Sequence, residues 1–300
     1  MDKQGLIDRL NGKKILIWGY GREGKSTEAF LKEHCPAAVT EVFEGKPEEM
    51  TAEVFDAYDA IVKSPGIPFF SEDPKLTGQT ELFLQAFSGQ TIGITGTKGK
   101  STTSSMMAHV LAECSGRPVL LVGNIGIPCL DAFDEITEDT IVVYEMSCHQ
   151  LANAHTAPHI AVFLNLYEEH LDYYHTLDAY FGAKAHIASC QKAGDRFYKG
   201  ENVPEIETKS VTTVIKPSPA MYVPGLKLFG AHNHLNALFV RTIATECFGC
   251  DPAAVMTSLQ SFRQLPHRME PVGEFAGRSW YDDSISTIPE AAIQALESIP

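Results

Sequence analysis

Short apolar runs rich in β-branched residues alternate along the chain with glycine turns and with stretches of helical periodicity. This alternation is typical of parallel α/β layers, in which a helix follows each strand and packs on the sheet. We predict a first, small α/β domain over residues 1–89. Its predicted elements are strands at 13–18, 39–43 and 60–63, a turn at 19–24 and a helix at 25–34.

A second and longer series of the same kind predicts a larger α/β domain over residues 90–264. Here a strand leads through a glycine loop into a helix, and further strands and helices follow. The predicted strands lie at 91–95, near Val119, at 141–145 and at 160–165. The predicted helices lie at 101–113, 177–191, 232–248 and 252–262. Short strands and loops are expected over 201–224.

The pattern changes at the end of the chain. Residues 270–275 and 278–282 predict the two strands of a hairpin, and residues 289–299 predict a helix. About 35 residues cannot bury a core of their own. We therefore expect residues 265–300 either to pack on the second domain or to begin a third α/β domain that continues beyond them.

The balance of charged residues narrows the classes of partner. The chain has 38 acidic and 24 basic residues and a formal net charge of −14, so its average surface should repel nucleic acid and anionic membranes. Any phosphate-bearing ligand must then be held by local positive groups. No apolar run approaches the ~20 residues of a membrane span, and the N-terminus is too polar for a signal peptide. We expect a cytoplasmic protein whose seven cysteines are free thiols.

The strongest chemical pattern is a glycine loop between the strand at 91–95 and the helix that follows it. Two glycines let the backbone curl so that successive N–H groups point inward at phosphate oxygens, and the helix N-terminus adds its positive end. Lys100 should contact the β- and γ-phosphates, and Ser101 should bind Mg²⁺. The alternative is a glycine turn with solvated lysines. The residues predicted to bind ATP here are Gly96, Thr97, Lys98, Gly99, Lys100, Ser101 and Thr102.

A phosphate loop needs a second group for its metal ion, and Glu145 is the candidate. It ends the predicted strand at 141–145, and ligands of parallel sheets gather at the carboxyl ends of the strands. The alternative is a solvated glutamate at a strand end. A second glycine pattern, GYGREG at residues 19–24, fits G-x-G-x-x-G and by itself also allows a nicotinamide-dependent oxidoreductase.

Taken together, these motifs resemble those of the Mur ligase family, and within it the group that adds D-glutamate to UDP-N-acetylmuramoyl-L-alanine. The resemblance runs through most of the chain in one order. Its blocks are GYGREG (19–24), SPGIP (64–68), TELF (80–83), GTKGKS (96–101), GNIG (123–126), EMS (145–147), EHLD (169–172) with Asn165, AK (183–184), HNHLN (232–236), LPHR (265–268) and DDS (282–284).

The resemblance implies a Rossmann-like N-terminal domain, a P-loop-type ATPase domain with a mostly parallel sheet, and the beginning of a C-terminal ligase domain. It implies an ATP-dependent, ADP-forming ligase of peptidoglycan synthesis with two Mg²⁺ ions, acting as a monomer through an acyl phosphate. Its substrates would be UDP-N-acetylmuramoyl-L-alanine and D-glutamate. Three alternatives stay open: another Mur ligase, an enzyme like folylpolyglutamate synthetase, or a nucleotide-binding module without turnover.

The resemblance also implies roles for individual residues. The catalytic residues would be Lys100, Glu145, His170 and Lys184. The metal ligands would be Ser101, Glu145, His170 and Lys184, the last with its amine carbamylated. Asn233, Asn236, Arg268 and Asp283 would contact ATP. The UDP-linked substrate would be contacted by Gly21, Arg22, Glu23, Gly66, Asn124, Ser147 and His170.

Several positions depart from the family pattern. Lys98 stands where the family usually has Asn, which adds positive charge at the phosphates. Cys148 and His149 replace the commoner Ser and Phe, which puts substrate contacts there in doubt. We interpret His149, together with His155 and His159, as a surface or capping residue rather than part of a metal cluster.

Overall fold

The computed structural model describes residues 2–71, 73–286 and 289–299. A four-stranded parallel sheet comes first, with strand order β2-β1-β3-β4. The strand β1 is apolar at almost every position because a parallel strand is covered on both faces. The strands are β1 (Lys14–Trp18), β2 (Val39–Phe43), β3 (Ala60–Lys63) and β4 (Leu76–Thr77), and the helices are α1 (Lys3–Leu10), α2 (Arg22–His34), α3 (Ala52–Asp56) and α4 (Gln79–Phe87).

The second sheet has six parallel strands in the order β10-β9-β8-β5-β7-β6. Its strands are β5 (Thr91–Thr95), β6 (Val119–Gly123), β7 (Ile141–Glu145), β8 (Ile160–Phe163), β9 (Arg196–Gly200) and β10 (Val211–Ile215). Its helices are α5 (Lys100–Cys114), α6 (Cys148–Leu151), α7 (Leu171–Tyr174), α8 (Leu177–Ser189), α9 (Ala231–Phe248) and α10 (Pro252–Ser261).

The order of the second sheet decides where its site lies. The strand β5 pairs with β7 on one side and with β8 on the other. The connection that leaves β5 runs to β6 on one side, and the connection that leaves its neighbour β8 runs to β9 on the other. Ligands bind at such a switch point, outside the carboxyl ends of the strands. The glycine loop after β5 and Glu145 at the end of β7 lie at this edge.

The end of the chain forms an antiparallel hairpin of β11 (Glu270–Phe275) and β12 (Arg278–Asp282), followed by α11 (Pro289–Ser298). One buried cluster continues from the first sheet into the second, since it contains Ile15 and Phe30 as well as Phe133 and Tyr144. Among the described helices, none combines the length and apolar character needed to cross a bilayer.

The predicted α/β class, with a mostly parallel P-loop-type sheet, is confirmed. The main elements lie within a few residues of their predicted positions, but α2 begins at Arg22 and not at residue 25. The reason is that the turn takes up only the first residues of the GYGREG motif. Gly24 already belongs to the helix and packs closely on the turn, since a Cβ at Gly24 would lie 2.1 Å from the Gly19 carbonyl oxygen. The prediction missed the short helices α1, α3, α6 and α7, as well as α4 and strands β4 and β9.

A pair of glycine substitutions tests how tightly the carboxyl edge of the second sheet is packed. Gly123 has φ of +107°, and a Cβ there would lie 2.4 Å from the Glu145 carbonyl oxygen. Gly123→Ala should therefore lower the free energy of unfolding by about 3 kcal/mol. Gly182 lies in α8, where an added Cβ would meet no atom within 4 Å beyond its chain neighbours and its own helix backbone, so Gly182→Ala should raise that free energy by about 1 kcal/mol. Urea unfolding measures both, and equal midpoints would contradict this account of the edge.

Candidate active site

The glycine loop between β5 and α5 is folded around the side chain of Lys100. The Lys100 ammonium donates to the carbonyl oxygens of Gly96 at 2.9 Å and Thr97 at 2.8 Å. Gly99 has φ of +84°, a left-handed conformation that glycine adopts without strain. No side chain in the described part of the protein caps the N-terminus of α5. Its first N–H groups, from Lys100, Ser101 and Thr102, are therefore free to bind an anion.

Asn165, just after β8, fixes the other side of this loop. Its side-chain oxygen accepts from the Lys98 amide at 2.9 Å, its NH₂ donates to the Lys98 carbonyl at 3.0 Å, and its own carbonyl accepts from Thr97 N–H at 2.9 Å. The Thr97 hydroxyl is 3.2 Å from the hydroxyl of Tyr180. The loop is thus held in shape before any nucleotide arrives, which reduces the ordering that binding costs.

Lys98 lies in the loop, but its charge is already paired. Its ammonium is 2.7 Å from a carboxylate oxygen of Glu169. The extra positive charge expected from this departure from the family pattern is therefore offset by the neighbouring carboxylate, and Lys100 is the loop lysine without an acidic partner within 4 Å in the described segments.

Glu145 is fully buried at the end of β7, and only one of its two carboxylate oxygens has a hydrogen-bond partner among the described residues. One carboxylate oxygen accepts from the Asn124 side-chain amide at 3.0 Å. The other makes no hydrogen bond to any described residue. A buried carboxylate oxygen without a partner is costly unless a cation or a donor from a ligand meets it, so this oxygen fits a metal-binding role.

Lys184, on α8, is buried directly beneath the loop, with 1% of its surface exposed. Its ammonium donates to the Gly96 carbonyl at 2.9 Å and lies 4.8 Å from the ring centre of Tyr180. Burial, reinforced by the charge of Lys100, lowers the pKa of Lys184 to about 7. Burial also lowers the pKa of Lys100. The site therefore favours the uncharged amine of Lys184 more than water does.

A cavity of about 290 Å³ opens beside these groups, between the two parallel sheets. It is lined from both sides. The first sheet contributes the start of α2 and the loop after β3, and the second contributes the start of α5, helix α8 and the segments that follow β6, β7 and β8. Its lining residues are Glu23, Pro65, Gly66, Lys100, Asn124, Ser147, Cys148, His149, Gln150, His170 and Lys184.

Two histidines meet in the cavity wall. His170 has φ of +57° and immediately precedes α7, and its ring centre lies 5.0 Å from that of His149. Burial lowers the pKa of both, that of His149 to about 4, so both are neutral at pH 7. The prediction that His149 is a surface or capping residue is wrong: it lines the cavity and contacts Cys148, whose sulfur is 3.5 Å from its Nδ1.

On the side of the first sheet, the predicted substrate contacts divide into two sets. Gly21 and Arg22 are exposed, and the Arg22 guanidinium donates to the carbonyl of Gly126, in the loop after β6. Glu23 faces the cavity and accepts from the Gln150 amide at 2.7 Å, and burial raises the pKa of Glu23. Gln150 was missed, although Ser147 and Gln150 form the S-x-x-Q capping box of α6, a pattern visible in the sequence.

Of the remaining predicted ATP contacts, Arg268 and Asn236 touch the loop or the start of α5 directly. The guanidinium of Arg268 donates to the Ser101 hydroxyl at 2.9 Å. Asn236, on α9, packs against Gly99 and donates to the side-chain oxygen of Asn233 at 3.2 Å. Asp283 accepts from the Met269 amide at 3.1 Å and from the Ser286 hydroxyl, so it lies in the turn that holds Arg268 in place.

The seven cysteines are all free, as predicted. Cys247 and Cys250 do not pair with each other, and Cys247 instead lies 3.2 Å from the Tyr198 hydroxyl.

Comparison with known proteins agrees with this geometry. Residues 94–199, which carry the glycine loop, Glu145 and Lys184, match the family model of the Mur ligase middle domain. A UDP-N-acetylmuramoylalanine–D-glutamate ligase of Solibacter usitatus is 30% identical to the chain, over 97% of this chain and 76% of that protein. The chain belongs to the Mur ligase family.

Two further Mur ligases show how far the likeness extends. A UDP-N-acetylmuramoyl-L-alanine–L-glutamate ligase of Xanthomonas campestris is 29% identical, over 97% of this chain and 72% of that protein. The crystal structure of a MurF ligase from Thermotoga maritima in complex with ADP aligns over 98% of this chain and 74% of that one, with a TM-score of 0.60 at 17% identity. The predictions of the Mur ligase family and of an ATP-dependent, ADP-forming ligase of peptidoglycan precursor synthesis are confirmed.

Proposed function

We propose that this Mur ligase joins D-glutamate to the L-alanyl carboxylate of UDP-N-acetylmuramoyl-L-alanine and converts ATP to ADP and phosphate. One observation carries the proposal: a single cavity is lined both by Lys100 of the phosphate loop and by Glu23 and Gly66 of the first sheet. A nucleotide at the loop and a second ligand on the first sheet would therefore meet at one place.

Each ligand has its own set of residues in this proposal. The ATP phosphates lie on the loop from Gly96 to Thr102, with Arg268 reaching Ser101 from the opposite side and Asn233, Asn236 and Asp283 around the nucleoside. The UDP-linked substrate lies on the first sheet, and its reacting end enters the cavity. Its contacts are Gly21, Arg22, Glu23, Gly66, Asn124, Ser147 and His170. In this proposal the substrate-binding domain is residues 1–89, the ATP-binding domain is residues 90–264, and the C-terminal ligase domain begins with residues 265–300. The protein acts as a monomer in the cytoplasm.

The chemistry follows from the charges at the loop. A carboxylate oxygen of the substrate attacks the γ-phosphorus, and ADP leaves. The amine of glutamate then attacks the acyl carbon, phosphate leaves with the oxygen that had been the carboxylate's, and the amine loses a proton. Negative charge builds on the transferred phosphoryl oxygens. Lys100, the N–H groups at the start of α5 and Arg268 are placed to stabilise it.

The site also suits Mg²⁺. Ser101 and the unpartnered oxygen of Glu145 offer hard oxygen ligands, which Mg²⁺ prefers. When bound, the ion would neutralise phosphate charge. His170 is the proposed ligand of a second ion. Lys184 enters this set only if its amine carries a carboxylate, and its lowered pKa supports reaction with CO₂, because the neutral amine is the reactive form.

The proposal names D-glutamate as the amino acid that is added, and similar proteins differ in this amino acid. The Solibacter relative is named for D-glutamate and the Xanthomonas relative for L-glutamate. L-glutamate is therefore the second candidate.

Release of phosphate from ATP tests the proposal. With Mg²⁺ and UDP-N-acetylmuramoyl-L-alanine, we expect release to require D-glutamate and to fall at least ~100-fold with L-glutamate, because an inverted centre misplaces the attacking amine. Preference for L-glutamate would replace the proposed amino acid. Release that is independent of the UDP-linked compound would contradict the assignment of the first sheet.

A further inference from the structure

Three hydrogen-bond donors converge on one backbone carbonyl next to the cavity. The carbonyl oxygen of Ile67 accepts from the Lys63 ammonium at 2.8 Å and from the Tyr173 hydroxyl at 2.9 Å. The third donor is the nearby amide of Phe69, at 2.9 Å. Lys63 ends β3 in the first sheet, whereas Tyr173 belongs to α7 of the second. We call Lys63, Ile67 and Tyr173 the Ile67 clamp.

The Ile67 clamp fixes a loop that lines the cavity. Ile67 lies in the loop at residues 64–68, and two neighbours in this loop, Pro65 and Gly66, line the cavity. The clamp residues also hold the preceding carbonyls: Tyr173 reaches that of Pro65 at 3.3 Å and Lys63 that of Ser64 at 3.4 Å. These carbonyls place the loop relative to both sheets, so the position of the cavity wall depends on the clamp.

The chain keeps Lys63 in this role at an energetic cost. Lys63 is 4% exposed, and burying an ammonium group is unfavourable unless acceptors surround it. Burial lowers the pKa of Lys63 to about 8, against the opposing influence of Glu23. A methionine would fill a similar volume but could not donate to the Ser64 and Ile67 carbonyls, so Lys63→Met removes the clamp contacts and keeps the packing.

Tyr173 connects the clamp to the reacting end of the cavity. Its ring centre is 4.4 Å from that of His149, which in turn is 5.0 Å from that of His170. His170 is also the residue at which α7 begins. Movement of α7 would therefore displace Tyr173 and the 64–68 loop together.

We propose that Lys63 and Tyr173 are positioning residues for the UDP-linked substrate: they hold the 64–68 loop, through the Ile67 carbonyl, in the conformation that receives it. The identity of this ligand rests on the proposed function. The clamp acts on the first-sheet side of the cavity, and the ATP side does not depend on it.

Two adjacent tyrosines make a matched test. Tyr173→Phe removes the clamp hydroxyl and keeps the ring. Tyr174→Phe removes the neighbouring buried hydroxyl, which is not one of the donors to the Ile67 carbonyl, so it serves as the control. Calorimetry would measure the affinity of each variant for UDP-N-acetylmuramoyl-L-alanine and, separately, for a non-hydrolysable ATP analogue with Mg²⁺.

We expect Tyr173→Phe to weaken the UDP-linked ligand by about 5- to 10-fold, the size of one lost hydrogen bond, and to leave the affinity for the ATP analogue within about 2-fold. Tyr174→Phe should change neither, and Lys63→Met should repeat the selective loss. Equal weakening of both ligands would show a general structural role, and unchanged affinity in Tyr173→Phe would also overturn the proposal.

Hydrogen exchange in the ligand-free protein provides a readout that needs no substrate. Backbone amides of residues 64–68 should exchange faster in Tyr173→Phe than in wild type, and at the wild-type rate in Tyr174→Phe. If wild-type protein failed to bind the UDP-linked compound, the proposed function and the substrate role of the clamp would fall. If it bound while Tyr173→Phe bound equally well, only the clamp proposal would fall.

Discussion

Lys100→Ala is expected to lower the rate of ADP formation at least ~100-fold and to weaken binding of ATP. Lys100 is the loop lysine without an acidic partner in the described segments, and its ammonium is held by the Gly96 and Thr97 carbonyls at the N-terminus of α5. Arriving phosphate oxygens would replace these neutral acceptors by charged ones. Loss of one preorganised cation at a site of developing charge typically costs this much.

Lys98→Met is the matched control for Lys100→Ala. Lys98 belongs to the same loop, but its ammonium is paired with Glu169 at 2.7 Å. Because its charge is already offset, removing it should lower the rate by less than about 10-fold. Steady-state kinetics of both variants decide the matter. A larger loss from Lys98→Met than from Lys100→Ala would show that the two lysines have been assigned the wrong roles.

Glu145→Gln should separate activity from stability. The amide keeps the acceptor for Asn124 but removes the negative charge, so binding of the metal ion and the rate should fall at least ~100-fold. The free energy of unfolding should rise by about 1 kcal/mol, because a buried carboxylate with one oxygen unpartnered among the described residues becomes a neutral amide, which costs less to bury than a charge.

Glu81→Gln is the control for Glu145→Gln. Glu81 is also buried, but it accepts from the His155 amide at 2.8 Å and from the amide and hydroxyl of Thr156 at 2.9 and 2.7 Å. Its replacement should lower thermal stability and leave the rate per folded molecule unchanged. Thermal unfolding and phosphate release on the same samples measure both. If Glu145→Gln lost stability as Glu81→Gln does, Glu145 would be a structural residue.

Much of the fold follows from sequence because the central strands β5, β7 and β8 are buried on both faces and read as short apolar runs. The strand β5 and the helix α5 are separated by the glycine loop, and each lies within about a residue of its predicted bounds. The order of strands in the second sheet needed the structure, because pairing between β5 and β8 joins segments far apart in the chain.

The candidate site was predictable as far as its residues belong to motifs. Seven of the predicted residues line the cavity: Glu23, Gly66, Lys100, Asn124, Ser147, His170 and Lys184. The pairing of Lys98 with Glu169 was not predictable, because it depends on how the loop after β8 returns to the phosphate loop. Tyr173 and Lys63 were missed for the same reason, since their shared partner is a backbone carbonyl, which no side-chain pattern reveals.

The central claim is that the cavity joins a carboxylate to an amine by way of an acyl phosphate. Its most direct test uses UDP-N-acetylmuramoyl-L-alanine labelled with ¹⁸O in the alanyl carboxylate, together with ATP, Mg²⁺ and D-glutamate. The attacking carboxylate oxygen stays on phosphorus when the amine displaces phosphate. We therefore predict one ¹⁸O atom in each phosphate released, alongside ADP and the amide product. Unlabelled phosphate, or release of pyrophosphate in place of phosphate, would contradict the account.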